Sequence, residues 1–175
     1  MSAPSPLAAR PKLLFTGAGG AGTIEVLRAL RAKDRYTLVG CDATTTSVGF
    51  TLVDRAYVIP FGASPEFEPA FRSILAHEKP DFVIPLVDEE IPIVHRMVAR
   101  EFPAARVLAP ELGFCEDTLD KWRMFERLRD VDLPVAPTWL ASDAGAATYP
   151  AIVKPRTGRG SRGLAFLDSP RDLEV

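Results

Sequence analysis

Between residues 12 and 109, short apolar runs alternate with segments of helical period, and that alternation restricts the chain to few architectures. Leu13-Leu14-Phe15 is a strand-length apolar run followed at once by a glycine loop, Gly17-Ala18-Gly19-Gly20-Ala21-Gly22. A helix is expected from there through about Ala32, with Ile24, Leu27 and Leu30 on one side. Tyr36-Thr37-Leu38-Val39-Gly40-Cys41 reads as a second strand ending at Asp42, and Ala56-Tyr57-Val58-Ile59-Pro60 as a third. Phe67, Ala70, Phe71, Ile74 and Leu75 fall at i, i+3, i+4, i+7 and i+8, the period of an amphipathic helix, and either Pro65 or Pro69 suits its first turn. Phe82-Val83-Ile84-Pro85-Leu86-Val87 is a near-continuous apolar strand, as expected where both faces are covered. Ile91, Val94, Val98 and Ala99 mark a further helix, and Arg106-Val107-Leu108-Ala109 a last strand. Strand, helix and strand in repeated order predict an α/β fold with an open parallel sheet and helices on both of its faces. The order of strands is not readable from the sequence.

Composition narrows the function. At 175 residues and 47% hydrophobic the chain can bury a large core, enough for one domain and part of another. A net charge of -2 gives no overall nucleic-acid footprint. No apolar run approaches the ~20 residues that span a bilayer. The Ala/Pro/Ser-rich leader, residues 1–10, lacks a signal-peptide core and is expected to be disordered. Cys41 and Cys115 are the only cysteines and have no CxxC spacing, which fits a reduced, cytoplasmic protein without a zinc site.

Three constellations carry chemistry. Gly17, Gly19 and Gly22 match G-x-G-x-x-G after a strand, with Asp42 at the spacing of a ribose-binding acid. The pattern suits a dinucleotide, another anion at a helix N-terminus, or simply a tight strand–helix turn. Asp88-Glu89-Glu90 follows an apolar strand. These carboxylates suit acid/base work or a cation, although charge at the start of the next helix explains them equally, above all Glu90. His77 and His95 lie within helical patterns without a partner motif and read as ordinary histidines.

The third lies near the end of the sequence. Ala151-Ile152-Val153 delivers Lys154 into Pro155-Arg156-Thr157-Gly158-Arg159-Gly160-Ser161-Arg162-Gly163, and Leu164-Ala165-Phe166-Leu167 reads as the returning strand. Between Lys154 and Arg162 there are four cations and no carboxylate. Glycines let backbone N–H groups approach an anion and the cations neutralise it, so the segment suits a nucleotide's phosphates. The bland alternative is a flexible basic hairpin. A Walker loop is excluded, since the lysine precedes the glycines, and no aromatic residues interleave as a nucleic-acid loop requires. Ser169-Pro170 reads as the start of a helix running to Val175. Upstream, residues 117–130 read as one helix bearing Lys121, with Trp122, Phe125 and Leu128 on its apolar side. Leu133-Pro134-Val135-Ala136-Pro137 reads as an extended linker.

Asp120-Lys121-Trp122-Arg123-Met124-Phe125, Leu133-Pro134-Val135-Ala136-Pro137-Thr138 and Tyr149-Pro150-Ala151-Ile152-Val153-Lys154-Pro155 with its glycine loop resemble the ATP-grasp superfamily, in the flavour of carbamoyl-phosphate-synthase-like carboxylate–amine ligases. Leu13 to Gly20, Val39 to Asp42 and Ile84 to Glu90 are similar to the Rossmann-like domain that precedes ATP-grasp modules. After the leader at 1–10, the resemblance implies a Rossmann-like domain at 11–112, a helical linker at 113–137 and the first part of an α+β ATP-grasp module at 138–175. It implies that Lys121 and Lys154 reach ATP phosphates, with Arg156, Gly158, Gly160, Ser161, Arg162 and Gly163 in the loop that folds over them. Gly17, Gly19, Gly20, Asp42, Asp88 and Glu89 are then candidates for holding the other substrate.

In such enzymes ATP phosphorylates a carboxylate and an amine attacks the acyl phosphate, forming a C–N bond. Mg²⁺ is implied, with its ligands beyond these residues and no metal site within them. The expectations are ATP and small carboxylate and amine partners, no nucleic acid or membrane, room for a partner chain or a homodimer, and no turnover by the 175 residues alone. The competing readings are an NAD(P)-binding Rossmann protein and a non-catalytic subunit of a split ligase.

Overall fold

The computed structural model describes residues 10–158 and 160–173. Residues 1–9 of the leader expected at 1–10, the loop cation Arg159 and the end of the expected last helix, at 174–175, lie outside the described residues. The chain divides into two compact units, Met1–Pro110 and Glu111–Val175.

The first unit is built on five parallel strands, β1 (Lys12–Phe15), β2 (Thr37–Asp42), β3 (Arg55–Val58), β4 (Phe82–Ile84) and β5 (Arg106–Val107), in the order β3-β2-β1-β4-β5. Helices α1 (Ala21–Lys33), α2 (Phe67–Glu78) and α3 (Ile91–Glu101) connect them. Strand alternation sorts the apolar side chains onto two faces. Leu13, Phe15 and Leu38 pack with Leu27 of α1 and Val53, while Leu14, Val39 and Val83 pack with Phe67, Phe71, Val94 and Val98 of α2 and α3. Both faces are thus covered, as the continuous apolar runs predict. The direction of winding reverses between β1 and β4, and in such sheets ligands bind outside the carboxyl ends of the strands at that reversal.

One buried charge ties the opposite, amino-terminal end of the sheet together. Glu78, at the end of α2, is 1% exposed. Its Oε2 accepts from Lys12 Nζ at 3.0 Å and from Arg55 Nη1 at 2.8 Å, and its Oε1 accepts from the Tyr57 hydroxyl. Burial pushes this carboxyl upward, but the Tyr57 and Lys12 hydrogen bonds and the charges of Lys12 and Arg55 outweigh it and hold the group below the usual glutamate value.

In the second unit, the single helix expected over 117–130 is two. Helix α4 (Leu112–Leu119) ends where Asp120 takes extended backbone angles, and α5 (Lys121–Asp130) begins. The break has a local cause: Asp120 is the N-cap of α5, and its side chain accepts from the Trp122 and Arg123 N–H groups. Strands β6 (Ala151–Val153) and β7 (Ala165–Leu167) form an antiparallel pair, followed by one 3₁₀ turn at Pro170–Leu173. Among the described residues no helix is long and apolar enough to cross a membrane.

Candidate functional site

In the second unit, Lys121, Lys154 and Arg156 line one groove of about 450 Å³ with Trp122, Trp139 and Tyr149. Lys154 follows β6 directly and is exposed, and among the described residues it has no hydrogen bond or ion pair. The Tyr149 hydroxyl, at the groove wall, is shut off from water without a hydrogen-bond partner. An orphaned hydroxyl and an unpaired ammonium beside aromatic rings make a site with polar valences to fill.

The loop after Lys154 has the backbone its composition predicts. Gly158, Gly160 and Gly163 have φ of 110°, 64° and 69°, and Ser161 joins them at 57°. At Gly158 and Gly160 an added Cβ would meet nothing, so glycine there answers to backbone angle and not to crowding. Arg162 lies on the same exposed turn.

Two of the site's expected free cations, one in the loop and one in α5, are engaged. Arg156 pairs with Asp120 through Nη2 to Oδ2 at 2.5 Å and Nε to Oδ1 at 3.1 Å. The Arg156 guanidinium holds the Asp120 carboxyl below the ordinary aspartate range, against its partial burial, with help from the Arg123 and Trp122 N–H groups. Lys121 Nζ donates to the Gly158 carbonyl at 2.9 Å. Sequence reasoning missed Asp120, Trp139 and Tyr149. Of these, only Asp120 carried a signal, as an N-cap residue type directly before a helical segment.

In the first unit, the glycine loop, Asp42 and the acidic trio gather at the carboxyl edge of the sheet. A Cβ on Gly17 would stand 2.6 Å from Val87 Cγ2, next to Asp88. Gly62 fits against the side chains of Glu89 and Glu90, where a Cβ would lie 2.5 Å from Glu90 Cγ. Glu90 is buried, whereas Asp88 and Glu89 are exposed. Asp42 serves the loop itself: Oδ2 accepts from the Gly19 N–H at 2.7 Å and Oδ1 from the Thr44 N–H at 2.9 Å. Gly20 is the N-cap of α1.

The dinucleotide pattern has one position that the structure leaves uncrowded. Its third glycine admits close packing of helix on strand, yet nothing lies within 4 Å of a Cβ placed on Gly22. Moreover, Ala18 is fully buried beneath Gly49.

Both cysteines are free and buried. Burial, with the charges of Glu90 and Asp42, pushes the Cys41 thiol well up, and burial also raises Cys115. His95 is hydrogen-bonded to the Pro110 carbonyl at 2.8 Å, a structural contact.

No protein-family model matches the chain, and neither does any curated protein. Solved structures match its fold. N5-carboxyaminoimidazole ribonucleotide synthetase from Thermotoga maritima matches 94% of this chain and 42% of its own, with a TM-score of 0.68 and 20% identity. The ADP complex of N5-carboxyaminoimidazole synthetase from Staphylococcus aureus matches 94% and 43%, with a TM-score of 0.73 and 16% identity. The biotin carboxylase domain of Hydrogenobacter thermophilus 2-oxoglutarate carboxylase, bound to MgADP, ADP and bicarbonate, matches 93% and 38%, with a TM-score of 0.68 and 21% identity. The chain spans about two-fifths of the length of these enzymes. It has the fold of the amino-terminal portion of ATP-grasp carboxylate–amine ligases.

Proposed function

We propose that this chain is the amino-terminal part of an ATP-dependent carboxylate–amine ligase, which forms a C–N bond through an acyl phosphate. The observation that carries the reading is the convergence of Lys121, Lys154 and Arg156 on one aromatic-walled groove beside a loop of left-handed glycines. The neighbours solved with ADP and MgADP support it through their fold.

Within that reading Lys154 and Lys121 neutralise phosphate charge, and the backbone N–H groups of Gly158, Gly160, Ser161, Arg162 and Gly163 supply fixed donors. Trp122 and Trp139 keep water from one side, which strengthens each charge interaction. Gly17, Gly19, Gly20, Asp42, Asp88 and Glu89 would face the second substrate, with Asp88 and Glu89 offering exposed carboxylates. Among the described residues no group of three His, Cys, Asp or Glu side chains is placed to hold a metal ion, so no step here runs through Mg²⁺. We assign its ligands outside these residues and expect the 175 residues alone to bind nucleotide without turnover.

Trp122 and Trp139 are the only tryptophans in the chain, and both line the groove. A titration with ATP is therefore expected to change the intrinsic tryptophan fluorescence saturably. A spectrum indifferent to millimolar ATP would contradict the proposal.

A further inference from the structure

Asp120 does more than start a helix. Its Oδ1 accepts from the Trp122 N–H at 2.9 Å, the Arg123 N–H at 3.2 Å and Arg156 Nε at 3.1 Å, while Oδ2 accepts from Arg156 Nη2 at 2.5 Å. One residue on, the Lys121 N–H donates to the Arg156 carbonyl at 2.9 Å. Lys121 Nζ donates to the carbonyls of Gly158 at 2.9 Å and Arg156 at 3.4 Å. These bonds join the first turn of α5 to the start of the glycine loop, and Lys121, Arg156 and Lys154 line the same groove.

We infer that Asp120 is a positioning residue for the phosphate site: it clamps Arg156, and with it the root of the glycine loop, against the first turn of α5, so that Lys121 and Lys154 border one groove. This rests on the nucleotide reading above. The side chain of Asp120 is 17% exposed and that of Arg156 53%, so the carboxylate is the shielded half of a two-point pair that a capping role alone does not require. The cap needs only a side-chain oxygen, and asparagine supplies one equally well. The clamp needs the charge and both oxygens.

That difference gives the test. Trypsin must take the Arg156 side chain into its own pocket to cut the Arg156–Thr157 bond, so cutting there reports release from Asp120 without reference to ATP. Loss of a partly exposed charge-assisted pair predicts about tenfold faster cutting in Asp120→Asn and about tenfold weaker ATP binding by calorimetry. Asp120→Ala, which also removes the cap, should match Asp120→Asn in both, and Asp120→Asn/Arg156→Gln should bind ATP no worse than either single variant. An Asp120→Asn chain that is cut and binds as wild type, with only Asp120→Ala impaired, would reduce Asp120 to a cap and overturn the inference, as would additive losses in the double variant. Wild type that binds no ATP would overturn the nucleotide reading instead, and the cleavage rates would still decide whether the clamp exists.

Discussion

Gly49→Ala is expected to destabilise the first unit by about 3 kcal/mol, near the upper end of overpacking effects. A Cβ there would stand 1.9 Å from the Ala18 carbonyl oxygen and 2.6 Å from its carbon. Both are main-chain atoms of a residue that is 0% exposed and whose N–H donates to the Cys41 carbonyl at 3.0 Å. Neither side can yield without moving the glycine loop away from β2. Gly22→Ala is the matched control. With open space at the Cβ position and a place in α1, it should stabilise by about 0.5 kcal/mol through propensity and unfolded-state entropy. Urea denaturation of the two variants checks both signs. A neutral Gly49→Ala would show that the segment of residues 48–52 does not lie on the loop as described.

Glu78→Ala is expected to cost about 3 kcal/mol, the lower end for breaking a buried ionic cluster. The lower end applies because the Lys12 and Arg55 side chains keep 23% and 52% of their exposure and can turn to water once the carboxylate is gone. The cost also depends on pH. The folded-state value of Glu78 lies below its unfolded value of about 4.5, so its contribution is fully present above that pH and disappears as pH falls through the folded value. Wild type and variant should therefore differ most near neutrality and converge in acid. Parallel stability curves from pH 7 down to pH 3 would contradict the assignment.

The sequence carried the elements better than their arrangement. Five strands, the amphipathic period of α2 and the glycine turns were legible because each is a local pattern of apolar spacing or backbone freedom. The order β3-β2-β1-β4-β5 was not, since pairing of β1 with β4 joins segments about 70 residues apart, which no local pattern encodes. At the candidate site the cations and glycines were legible, but their pairing was not. Residues 154–162 hold no carboxylate, and Arg156 finds one 36 positions upstream. The same carboxylate explains why one expected helix is two: Asp120 prefers to cap rather than to continue a helix. Asp42 followed its strand as expected, yet its partner is the chain's own Gly19.

The central claim is that the groove beside Lys154 takes nucleotide phosphates, and thermal unfolding with and without Mg·ATP tests it most directly. A ligand that binds only the folded state at tenfold above its Kd adds about 1.4 kcal/mol, a rise of several degrees for a chain this size. Wild type should show that rise with Mg·ATP and none with NAD(P)H, and Lys154→Ala, which removes an exposed cation without burying or unburying anything, should lose it while melting at the wild-type temperature without ligand. A rise that survives Lys154→Ala unchanged, or one that appears with NAD(P)H alone, would contradict the claim.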